Sequence, residues 1–217
     1  MPPLPHRVRL YLILATLLLV VAAAHADINS FTNPGFETGD LSGWTTNLSG
    51  GTAQIVTAWY QEATNNVYVP VIGNYLLAVG GGSAGVGQLV YQDFTLNSGD
   101  GLTGWAAFNG RDFDPFIDSA AVRIYDSSLN LLATPWSEDI STVGDLASSD
   151  PVQWSWTAVT GGTYRLEYSA RNDLDALSPS YGVFDAEQFD AEPVPEPGTL
   201  VLLLTGLPVA LWLRRRR

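Results

Sequence analysis

Thr163-Tyr164-Arg165-Leu166-Glu167-Tyr168 is the stretch that decides the fold class. In an extended chain successive side chains point to opposite sides, so Tyr164, Leu166 and Tyr168 share one face and Arg165 and Glu167 the other. Such a strand belongs in a sheet with one face packed and one face wet. Working outward, β-rich runs recur at 53–59, 75–79, 86–96, 102–108, 120–125, 129–133, 152–159, 163–170 and 182–189. Clusters of Gly, Ser, Thr, Asn and Asp separate them, and no segment holds a helical period over three turns. Short strands at this spacing predict an all-β protein, a single β-sandwich. The run Gly80-Gly81-Gly82-Ser83-Ala84-Gly85-Val86-Gly87 reads as a flexible connection, because it lacks the Lys and the following helix of a phosphate loop.

The two ends read as processing segments. Arg7 and Arg9 precede an apolar run from Leu10 to Ala24, then Ala24-His25-Ala26 and Asp27. A positive region, an apolar region and an A-x-A site predict a secretory signal over 1–26, cleaved after Ala26. At the other end, Pro195-Glu196-Pro197 leads into an apolar stretch from Thr199 to Leu213 and then Arg214-Arg215-Arg216-Arg217. That stretch is just long enough for a short transmembrane helix across a core of about 30 Å. The arginines would hold its end on the cytoplasmic side. The expected division is a signal helix at 1–26, a domain at 27–192 and a tail at 193–217.

Composition excludes more than it proves. All 22 acidic residues of the chain fall between Asp27 and Glu196, where the only basic residues are Arg111, Arg123, Arg165 and Arg171, so that span carries a formal charge of −18. Cysteine and lysine are absent, and His6 and His25 both lie in the segment expected to be removed. A Ser-His-Asp triad, a Cys nucleophile and a Lys Schiff base are therefore excluded from the domain. Ordinary zinc, iron-sulfur and haem sites are excluded with them, and nucleic acid finds no basic stripe. What remains is carboxylate chemistry, binding of a hard cation, or no chemistry.

Two family resemblances rest on specific residues. The tail, Pro195-Glu196-Pro197 followed by an apolar stretch and an arginine cluster, resembles the PEP-CTERM sorting signal of Gram-negative bacteria. The resemblance implies an exosortase as partner, transient tethering in the inner membrane, and release to the cell surface or an extracellular polysaccharide matrix. Asn33-Pro34-Gly35-Phe36-Glu37, followed by Gly43-Trp44, resembles the N-terminal signature of galactose-binding-like jelly rolls and carbohydrate-binding modules, with Val183-Phe184-Asp185 in the place of their last strand. This implies a jelly-roll topology and a structural Ca²⁺ between the terminal strands, with Glu37 and Asp185 as carboxylate ligands. A hard cation would take six to eight oxygens at about 2.3–2.6 Å.

Two further groups carry expectations. Asp112-Phe113-Asp114-Pro115-Phe116-Ile117-Asp118 reads as a loop whose phenylalanines plug the sandwich while its acids face water. Sugar platforms use flat aromatic rings with polar neighbours. Trp154 and Trp156, two apart on one strand face, read as core, and Trp44 as a plug at one end. Trp59 and Trp136, in or beside loops, are the candidates for an exposed platform. The resulting expectation is a secreted, surface-sorted, non-catalytic protein with carbohydrate binding. The alternatives are a glycan-active enzyme built on two carboxylates about 5–9.5 Å apart, or a purely structural domain.

Overall fold

The structure is a computed structural model that describes residues 31–61 and 66–186; the signal at 1–26 and the tail at 193–217, with Pro195, Glu196 and Pro197, lie outside the described residues. Twelve strands follow in order: β1 Thr45–Asn47, β2 Gly51–Val56, β3 Trp59–Gln61, β4 Asn66–Tyr68, β5 Leu76–Gly81, β6 Gly87–Leu96, β7 Gly101–Asn109, β8 Ser119–Asp126, β9 Leu131–Asp139, β10 Val152–Thr157, β11 Gly162–Arg171 and β12 Tyr181–Ala186. One helical turn, α1 Ile140–Val143, follows β9, capped by the Asp139 carboxylate on the Thr142 N–H. Among the described residues no helix is long and apolar enough to cross a membrane.

The strands form two five-stranded antiparallel sheets, β1-β6-β11-β8-β9 and β10-β7-β12-β5-β2, and a small β3-β4 hairpin. From β5 to β12 the chain changes sheet at every step except the β8–β9 hairpin, so the two sheets are stitched into a β-sandwich. The core lies between them. Tyr164, Leu166 and Tyr168 of β11 point into it with Val90 and Phe94 of β6, Val122 and Ile124 of β8, and Leu77, Phe108 and Phe184 from the facing sheet. Tyr168 stacks on Phe184 at 4.6 Å across the two layers, an aromatic contact that adds to plain burial.

The wet face of β11 is less wet than its alternation suggests. Glu167 is buried, because Arg123 of β8 pairs with its carboxylate at 3.3 Å and the Tyr125 hydroxyl donates to it at 3.2 Å. The same guanidinium donates to Ser169 at 2.6 Å, so β8 and β11 are laced together on their outer face as well.

All nine expected strands are present, with shifted ends and with short β1, β3 and β4 in addition. The expected run 53–59 ends at Val56; Trp59 opens the β3-β4 hairpin, which packs on the outer face of the second sheet, where Tyr68 joins Leu76, Ala107 and Val183. The expected strand at 129–133 runs on to Asp139, straight through Pro135. Proline removes a ladder donor and so reads as a strand breaker, but β9 is an edge strand with one side unpaired, where that loss is tolerated.

Candidate functional site

The motif at the N-terminal entry is a structural turn. Asn33, in the left-handed region with φ 52°, donates through Nδ2 to the Asp40 carbonyl at 3.0 Å and accepts the Thr38 N–H at 3.1 Å. Its own carbonyl accepts the Trp44 indole N–H at 3.0 Å. Phe36 and Trp44 thereby enter the core together beneath Tyr168. Trp44 plugs its end of the sandwich as its sequence position predicts.

Glu37 and Asp185, the carboxylates expected to ligate a cation, both meet backbone donors of one loop. Asp185 Oδ2 accepts the N–H groups of Val71 and Ile72 at 2.7 and 2.9 Å. Glu37 accepts those of Asn74 and Tyr75 at 2.9 and 3.1 Å, and these donors hold its carboxyl below the usual range against the opposing effect of burial. Both carboxylates therefore tie down the same loop, 69–75. The loop wraps Glu37 so closely that a Cβ at Gly73, whose φ is +70°, would lie 2.3 Å from the carboxylate carbon. Both carboxylates thus accept backbone N–H groups here, and no group of three or more acids or histidines is placed to hold a metal among the described residues.

The Asp112–Asp118 loop is partly inverted relative to expectation, with Asp114 exposed as expected and Phe116 half-buried. Asp112 and Asp118 are 3 % and 2 % exposed, whereas Phe113 is 47 % exposed and packs edge-on against Phe116. Backbone donors explain the inversion: Asp118 accepts the N–H of Asp173 and of Ser180, each at 3.1 Å, and so knits two loops together. Burial, with Asp175 nearby, pushes both carboxyls above the usual range.

Of the two platform candidates, Trp136 is a core residue. It lies opposite Val122 on β9 and meets Phe184 edge-to-face at 5.9 Å, 6 % exposed. Trp59 is half-buried, its ring against Tyr181 at 4.5 Å, while its neighbour Tyr60 is exposed. The two are not brought together.

A groove of about 500 Å³ opens at the other end of the sandwich from Tyr181, between the β8–β9 and β10–β11 turns. Its aromatic wall is Trp156, half-buried and edge-on to Tyr164 at 5.1 Å. The Tyr164 hydroxyl donates to the Thr160 carbonyl and shares a second hydrogen bond with the Thr160 hydroxyl at 3.2 Å, pinning the β10–β11 turn. The opposite turn is built on Asp126, whose carboxylate accepts the Asn130 side-chain amide and the backbone N–H groups of Asn130 and Ser128, and stays below the usual carboxylate range for that reason. Leu132 and Val159 stand exposed at the rim, and Ser127, Thr160 and Thr163 supply hydroxyls. The groove continues into a recess of about 200 Å³ at Arg165, whose guanidinium grips Asp93 at 2.7 and 2.9 Å and lies over the Tyr91 ring at 3.9 Å. An aromatic wall with converging hydroxyls in a cleft of this size is the general form of a small-ligand site. Sequence reasoning missed it, because Trp154 and Trp156 share a strand face. Only their position along β10 separates them: Trp154 is buried, and Trp156 reaches the open end of the sandwich.

Known folds bear a distant likeness to this one. No protein-family model matches the chain, and no curated protein matches it either. Among solved structures, TmCBM61 in complex with β-1,4-galactotriose is similar at 20 % identity and a TM-score of 0.43, covering 72 % of this chain and 94 % of that one. A cleaved adhesin domain of Lys-gingipain from Porphyromonas gingivalis is similar at 14 % identity and a TM-score of 0.47, covering 73 % and 96 %. The CBM22-1 xylan-binding domain of Xyn10C from Paenibacillus barcinonensis is similar at 13 % identity and a TM-score of 0.39, covering 71 % and 89 %.

Proposed function

We propose that the chain is an exported, surface-sorted, non-catalytic jelly-roll sandwich that binds polysaccharide through the Trp156 groove. The observation that carries the binding reading is the groove itself: a partly exposed indole wall, a turn fixed by Tyr164 and a rim of hydroxyls, in a cleft of about 500 Å³. An indole face offers apolar contact to the C–H face of a pyranose, and the hydroxyls and backbone orient its polar groups. Export and sorting rest on the sequence: the signal at 1–26 and the PEP-CTERM-like tail, whose Pro195-Glu196-Pro197 an exosortase would recognise. In this reading the protein passes through an inner-membrane-tethered stage and ends in the surface or matrix polysaccharide.

The binding test is affinity electrophoresis in gels containing β-1,4-galactan, the polymer of the galactotriose bound to one similar module, or xylan, named for another. Retardation of the wild type, and its loss in Gly162→Phe, is the expected result. Gly162 lines the groove, and a Cβ there meets nothing within 4 Å, so the phenyl ring fills the cleft without disturbing the core. Equal mobility of both proteins in every glycan gel would overturn the reading. The sorting half is tested separately, by weighing the surface product in cells with and without the sorting enzyme. An intact tail in both would remove it.

A further inference from the structure

We infer that the sandwich has a second glycan-binding groove at its opposite end, and that the protein is therefore a cross-linker of polysaccharide chains; this rests on the proposed reading of the Trp156 groove. The second groove measures about 390 Å³ and lies between the β1–β2, β5–β6 and β11–β12 connections. Its aromatic wall is Tyr181, held from behind by Trp59 at 4.5 Å. Its other walls include Gly50, Gly51, Gly81 and Gly82, which project no side chain into it, and the hydroxyl residues Thr52 and Ser83.

The chemistry of the lining selects the ligand. Residues 27–196 carry 22 acids and four arginines, yet no charged side chain lines this groove. A carboxylate-bearing or cationic ligand would leave its charge unpaired there, at a cost that a neutral one avoids. An aromatic ring with hydroxyls and no charge in the lining suits a neutral, polyhydroxylated chain. Beside the groove, the Asn172 side chain donates to the Gly82 carbonyl at 3.3 Å while its own Oδ1, on a residue 1 % exposed, has no partner.

The separation of the two grooves follows from register. Trp156 lies opposite Leu102 and Tyr181 opposite Asn109, seven residues apart along β7, or roughly 23 Å. Two sites at that distance on opposite ends of one rigid sandwich face away from each other, so each takes its own chain segment. Multivalent attachment then raises retention in a matrix without any stronger single contact.

The test is native mass spectrometry of the full chain in mild detergent with β-1,4-galactotetraose, together with capture of fluorescent β-1,4-galactan on galactan-coated beads. Two ligands per wild-type monomer and efficient bridging are expected. Gly162→Phe and Ser83→Trp should each leave one ligand and abolish bridging, and the pair together should leave none. Ser83 is exposed, so the second variant fills its groove from outside the core; Ala176→Trp, also exposed, does so from the facing loop. One ligand per monomer, lost in Gly162→Phe and untouched by Ser83→Trp or Ala176→Trp, would overturn the second groove and leave the first standing. No ligand on the wild type would overturn both.

Discussion

Asp118 sets burial against hydrogen bonding. Two backbone N–H groups favour its carboxylate, but desolvation and the nearby Asp175 outweigh them and raise its affinity for a proton. The folded-state value lies above the unfolded one, so this group's contribution to stability is full below the unfolded carboxylate pKa and is lost as pH rises through the folded value. Asp118→Asn should therefore show a flatter decline of Tm between acidic and neutral pH than the wild type, and parallel Tm profiles would contradict this. Asp185 is buried too, and its Oδ2 accepts the Val71 and Ile72 N–H groups. Asp185→Ala strands the Val71 and Ile72 N–H groups and should cost about 2–3 kcal/mol in denaturant melts, while millimolar Ca²⁺ leaves wild-type Tm unchanged. A calcium-dependent rise in wild-type Tm would instead give the pair the expected cation role. Neither arrangement was legible in the sequence. An Asp in a polar loop looks the same whether it faces water or backbone donors contributed by residues 55 or 114 positions away.

Strands were the most legible elements, because alternation over six or more residues reports a buried face directly, as in β11. The readings failed where an element's place in its sheet overrode its local pattern. Pro135 hid the second half of β9, and with it the burial of Trp136 against Phe184. Trp136→Ala should accordingly cost about 3–5 kcal/mol as a core truncation, and at temperatures where it stays folded it should keep wild-type glycan retention. Selective loss of retention without loss of stability would return Trp136 to the platform. Turns act at the same scale: Tyr164→Phe frees the β10–β11 turn from its Thr160 anchor, for about 1 kcal/mol of stability. It should weaken glycan retention more than that loss suggests, because Thr160 forms part of the groove wall. Unaltered retention in Tyr164→Phe gels would show that the turn's position does not matter for binding.

For the whole molecule, composition had already narrowed the field: with no Cys, Lys or domain His, what remains is carboxylate chemistry, cation binding, or ligand binding through aromatic rings and hydroxyls. The sandwich itself was readable from strand number and spacing. The location of its grooves was not, because a groove at a sandwich end is made by turns that are distant in sequence and whose residues, Asp126, Thr160 and Gly162, look like ordinary loop punctuation. The buried acidic pair Asp112 and Asp118 lines neither groove, which keeps these two raised carboxyls apart from the candidate binding surfaces. The most direct test of the central claim is isothermal titration of the full chain with β-1,4-galacto- and xylo-oligosaccharides, wild type beside Gly162→Phe. The account predicts saturable heat for the wild type and at least a tenfold weaker association at the Trp156 end in the variant, with unchanged Tm. Identical isotherms for the two proteins would contradict it.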